Sequence, residues 1–127
     1  MSSVAKPELN KGVSTYFAKD RKQWRKWLEK NSHKEPEVYL ILHNKKSTMK
    51  SVSIPEAVEE ALCSGWIDSF KNKRDEGSAY QRFSPRRPNS NWSEINKARA
   101  EKLIAQGLMT PAGQQAIDLA KQKGIWR

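Results

Sequence analysis

The six-residue run Val38-Tyr39-Leu40-Ile41-Leu42-His43 constrains this chain more than any other segment, because its apolar residues do not alternate with polar ones. A strand with one face in water alternates; an unbroken apolar run marks a central strand covered on both faces. Helices able to supply cover can be read on either side of it. Asp20 is an N-cap for a helix to about Asn31, whose Trp24, Trp27, Leu28 and Asn31 share one face while Lys22, Arg25, Lys26 and Lys30 lie away from it. Ser53-Ile54-Pro55-Glu56 has capping-box spacing with proline in the first turn, and Ala57, Val58, Ala61 and Leu62 form the inner face of the helix that ends at Gly65.

The remaining elements follow the same logic. Val13 to Phe17 reads as a short strand. Trp66 to Phe70 and Ala79 to Ser84 read as a hairpin with a long polar loop around Gly77. If Asp68 pairs near Arg82, the two make a cross-strand charge pair, with Trp66, Asp68 and Phe70 on one sheet face and Ile67 and Ser69 on the other. Pro85 to Ser90 is a stiff extended linker, Ser90 or Asn91 caps a helix to about Gln106, and Thr110-Pro111 opens a last helix that Gly124 closes. These elements predict one α+β domain over residues 13–127, with a small mixed or antiparallel sheet of about three to four strands packed with about four helices. Residues 1–12 read as a flexible lead-in.

Lys and Arg number 24 against 14 Asp and Glu, a formal charge of +10. Residues 1–50 hold most of the excess, with twelve basic against five acidic side chains. A basic surface attracts polyanions, although dispersed lysines also serve plain solubility. Cys63 is the only cysteine, so no intrachain disulfide forms, and its helical position suits a buried small hydrophobe. With neither a secretory h-region nor an apolar run long enough to span a bilayer, the chain is expected to be soluble and cytoplasmic.

The segment Glu56-Ala57-Val58-Glu59-Glu60-Ala61-Leu62-Cys63-Ser64-Gly65-Trp66-Ile67-Asp68-Ser69 resembles the core signature of the YdeI/OmpD-associated family. So do Arg82 to Arg87, Ser90 to Asn96, Gly107 to Gly113, the Lys123-Gly124-Ile125-Trp126 ending and the upstream Trp24-x-x-Trp27-Leu28. Leu108 stands where that pattern leads one to expect arginine. The resemblance implies a bacterial protein linked to bacteriocin protection and to an outer-membrane porin. It implies no substrate and no catalytic residue.

The residues themselves nominate a site between Asp68 and Asn96. Arg86 and Arg87 sit between prolines just before a helix start, where backbone amides and two guanidinium forks favour anions. Ser90, Ser93 and Asn96 offer neutral hydrogen bonds. Trp66 and Trp92 offer indole faces for stacking a base or sugar, or else belong to the core. Asp68 is either a desolvated base or a structural partner of Arg82 or Arg86. His33 and His43 are too few for a metal site without cysteine partners, and HExxH, CxxC, GxSxG and GxxxxGK[ST] are all missing, so no metal or cofactor is expected. The first functional reading is a non-catalytic domain binding an anionic small molecule, with nonspecific nucleic acid as a weaker branch. The alternatives are an enzyme of unknown class using Asp68, Arg86 and Ser93, and a protein-interaction domain docking through a Trp-bearing surface.

Overall fold

The structure, a computed structural model, describes residues 7–126. Five strands and four helices follow in the order β1 (Leu9–Asn10), β2 (Val13–Phe17), α1 (Arg21–Asn31), β3 (Val38–His43), α2 (Ile54–Cys63), β4 (Trp66–Asp75), β5 (Ser78–Pro85), α3 (Glu94–Ala105) and α4 (Pro111–Gln122). The strands form one mixed sheet in the order β1-β2-β3-β5-β4, with β2 and β3 parallel and the other pairs antiparallel. This is the expected small α+β domain, with a fifth strand. Of the expected lead-in, residues 1–6 lie outside the described residues, and Leu9–Asn10 form β1 through pairing with Ser14 and Val13.

β3 is central and Val38 to Leu42 are all buried. Val38, Leu40 and Leu42 enter the core with Phe83, Trp66 and the helices. Tyr39 and Ile41 lie outside that core cluster yet are also buried, with the Tyr39 ring 6.1 Å from that of Tyr80 on β5. Although β1 and β4 lie at opposite ends of the strand order, Asn10 and Asn72 exchange side-chain hydrogen bonds of 3.0 and 3.3 Å. The Glu8 carboxylate accepts from Arg74 Nε at 2.7 Å and Nη2 at 3.0 Å, and from the Tyr80 hydroxyl. The sheet therefore curls until its edges meet, giving a helix-covered face and a concave face.

Trp24 shows why α1 docks where it does. Its indole is fully buried, lies 5.1 Å from the Phe83 ring and donates Nε1–H to the Ala57 carbonyl at 3.0 Å, linking α1, the sheet and α2. Arg25, expected on the outer face of α1, instead pairs with the buried Glu60 carboxylate at 2.9 Å and donates to the Leu108 carbonyl at 2.7 Å. Arg21 reaches both Glu59 and Glu60, and Lys102 of α3 reaches Glu59. Charge thus stitches α1, α2 and α3 together outside the apolar core. Cys63 is fully buried, as its position on α2 predicted.

Gly65 ends α2 with a φ of +77°, in the left-handed region that glycine enters without a Cβ penalty. Gly113 serves a different need, close approach. Helix α4 lies so near the end of α2 that the Thr110 amide and hydroxyl both donate to the Cys63 carbonyl.

Three expectations about the hairpin fail. The polar residues 73–75 continue β4 and a tight turn at residues 76–77 replaces the long loop. Cross-strand hydrogen bonds and the Glu8–Arg74 pair order a segment whose composition reads as loop. Asp68 stands opposite Phe83, not Arg82. A bulge between Asp68 and Lys71 also breaks the alternation, so Phe70 lines the concave face with Ile67 and Ser69 and does not share the face of Trp66. Helix α3 begins later than expected: Ser93, and neither Ser90 nor Asn91, is its N-cap, accepting from the Asn96 amide at 3.1 Å.

Candidate functional site

The nominated residues do not converge on one hollow. Trp66 is 2% exposed and donates to the Ser32 carbonyl at 3.2 Å, so its indole belongs to the core. Trp92 is 8% exposed, with the Trp126 ring 4.9 Å away and the Arg86 guanidinium 3.8 Å from its ring centre. Neither indole is free to stack a ligand. Ser93 caps α3 by accepting from the Asn96 amide, and the Asn96 side chain accepts from Arg99 at 3.0 Å. Asp68 makes no ion pair among the described residues; its field favours the charged form of Arg86.

Arg86 and Arg87, adjacent in sequence, take opposite courses. Arg86 turns inward, where Nη1 donates to the Ser90 hydroxyl at 2.8 Å and to the Asn91 carbonyl at 3.2 Å. Its Nε and Nη2 are buried with no hydrogen-bond partner among the described residues. Burial holds its pKa down to about 10, against the pull of Asp68. The guanidinium thereby pins residues 86–92 between the end of β5 and the start of α3. Arg87 is exposed and reaches the concave face, as does Ser90.

That concave face carries the main candidate site, an open cleft of about 1010 Å³ whose walls include Lys11, Tyr39, Phe70, Arg82, Arg87 and Ser90. Sequence reasoning missed most of these. Phe70 is 64% exposed, an unusual state for a large aromatic side chain in a sheet. Lys11 Nζ lies 5.9 Å and the Arg82 guanidinium 6.0 Å from its ring centre. Arg82 is steadied by Glu37 at 2.8 Å and by the hydroxyls of Ser69 and Ser84 at 3.1 and 3.2 Å. Three cations, Lys11, Arg82 and Arg87, face one carboxylate, Glu37, so the cleft is net positive.

Local backbone explains the placement of Lys11. β1 and β2 are joined by a two-residue turn in which Lys11 has φ +53° and Gly12 φ +78°. Positive φ at both central residues matches the twist of a tight hairpin, and a non-glycine residue there is held at a cost of about 1 kcal/mol. The turn aims the ammonium at Phe70. The signals in the sequence were weak, a Lys-Gly pair and a phenylalanine beside a bulge that composition does not reveal.

Among the described residues, no group of three or more His, Cys, Asp or Glu side chains is placed to hold a metal ion. No helix among them is long and apolar enough to cross a membrane. Residues 16–116 match the family model described as a domain of unknown function (DUF8412), and the chain belongs to that family. No curated protein and no solved structure matches it.

Proposed function

We propose that this DUF8412 domain is a non-catalytic binding module whose concave cleft takes an anionic ligand bearing a flat ring. The observation that carries the reading is Phe70, exposed at a cleft wall between the cations of Lys11 and Arg82. An open aromatic face stacks a ring, and the surrounding cations attract phosphate or carboxylate. The expected anion site at the Pro-Arg-Arg-Pro segment is retained in part, through Arg87 and Ser90. Arg86 acts behind them as a positioning residue, holding Ser90 by its hydroxyl. The enzyme alternative loses support because Ser93 caps a helix and does not meet Asp68 and Arg86 at a common hollow.

The resemblance to YdeI/OmpD-associated proteins extends the proposal to a bacterial, cytoplasmic role in bacteriocin or envelope-stress protection. The binding reading is tested by following backbone amides while titrating inorganic phosphate and a mononucleotide such as UMP. Shifts centred on residues 11, 70, 82, 87 and 90 are expected, larger for UMP than for phosphate. Silence at all five positions, or shifts confined to other surfaces, rejects it.

A further inference from the structure

We infer that the ligand of this cleft is a segment of single-stranded nucleic acid, an inference that rests on the binding reading above. Three features go beyond what a small anion needs. First, the recognition element is an exposed ring on a sheet face, which meets the face of a base only where that base is unstacked from its neighbours. A duplex hides those faces, so the preference is for single strands.

Second, the cleft is open and large. At about 1010 Å³ it lies at the upper end of the range for small-molecule pockets, which runs to about 1,000 Å³, and it accommodates more than one nucleotide. Third, its charge is arranged for a backbone and not for one buried anion. Lys11 and Arg87, on the cleft wall, have no carboxylate partner among the described residues, whereas Arg74 and Arg82 are paired with Glu8 and Glu37. Unpaired cations around a stacking platform follow a phosphate backbone without reading sequence. Binding should therefore tolerate any base, and the net charge of +10 favours encounter.

The test is fluorescence anisotropy of the full chain with a labelled eight-nucleotide thymidylate oligomer, at several salt concentrations, with UMP and a duplex of equal length as competitors. The inference expects the oligomer to bind more than tenfold tighter than UMP and tighter than the duplex. The slope of log affinity against log salt should be about −1.4 if two phosphates are neutralised. Phe70→Ala should weaken oligomer binding about tenfold without loss of fold by circular dichroism. Lys11→Gly keeps a residue suited to positive φ, so it removes the cation without disturbing the turn, and the slope should fall by about 0.7. An oligomer no tighter than UMP, with UMP still shifting the cleft amides, overturns this inference while leaving the binding reading in place. Absence of both responses overturns both. Oligomer binding indifferent to Phe70→Ala also overturns it, because the strand then lies elsewhere on the basic surface.

Discussion

Gly113→Ala sets two effects of known sign against each other. Gly113 lies inside α4, where alanine is intrinsically favoured over glycine by about 1 kcal/mol. On helix propensity alone the substitution stabilises. The structure says otherwise, because a Cβ there would lie 2.4 Å from the Cys63 carbonyl oxygen, 2.7 Å from its carbon and 2.5 Å from Met109 Sδ. The methionine can swing aside; the carbonyl belongs to the end of α2 and cannot. Reaching ordinary van der Waals separation requires α4 to retreat by about 1 Å, in an interior packed too densely to absorb it. Overpacking of this kind costs about 1–3 kcal/mol. The retreat also stretches the 3.1 Å bond from the Thr110 amide to the Cys63 carbonyl, removing about 1 kcal/mol more. After subtracting the propensity gain, the variant should be less stable by about 2 kcal/mol, a fall in melting temperature of about 5–10 °C for a domain of this size. Urea denaturation of Gly113→Ala beside Gln115→Ala, an exposed position on the same helix, measures it. A Gly113→Ala protein as stable as the parent would refute the close approach of α2 and α4 on which this part of the fold rests.

Lys11→Gly should raise stability by up to about 1 kcal/mol in the same denaturation assay, by relieving a left-handed lysine; a loss of stability contradicts the turn geometry. Phe70→Ala should change stability by no more than about 0.5 kcal/mol, since the ring is mostly in water, and a large loss would mean that it is part of the core. The Arg74 guanidinium, with the Tyr80 hydroxyl, holds the Glu8 carboxyl below its ordinary range. Its folded pKa is depressed, so its stabilisation is fully present above the ordinary carboxylate pKa and is lost as pH falls through the lower folded value. The stability difference between the parent and Glu8→Gln should accordingly be present at neutral pH and vanish on acidification; a gap that persists or grows in acid rejects the assignment. Glu60→Gln, which removes the buried carboxylate and leaves Arg25 without a charged partner and Arg21 with Glu59 alone, should cost about 2 kcal/mol by urea denaturation, and no loss would show that the cluster is dispensable.

The helices were legible because their start and stop signals are local. Asp20, Ser53 and Thr110 cap by accepting from amides three residues ahead, and Gly65, Gly107 and Gly124 adopt positive φ where each helix was expected to end. β3 was legible because burial on both faces leaves an apolar run. What escaped was non-local. The two residues of β1 are a strand only because β2 lies beside them, and the polar end of β4 is ordered by Glu8 and Asn10, more than sixty residues earlier in sequence. At α3, Ser90, Asn91 and Ser93 are all acceptable caps by type; Arg86 engages Ser90 and the Asn91 carbonyl, and Ser93 takes the role. The site was misplaced for a related reason. Arg86 and Arg87 read as a pair, but an extended backbone sends successive side chains to opposite sides, one onto Trp92 and the other to the cleft. Phe70 read as sharing the sheet face of Trp66 because no compositional feature announces the bulge before Lys71.

A crystal structure of the protein with a short thymidylate oligomer would examine the cleft directly. The account predicts a thymine ring stacked on Phe70, with backbone phosphates within reach of Lys11 and Arg87. A base seated on another surface, with the Phe70 ring covered by protein or left bare, would contradict it.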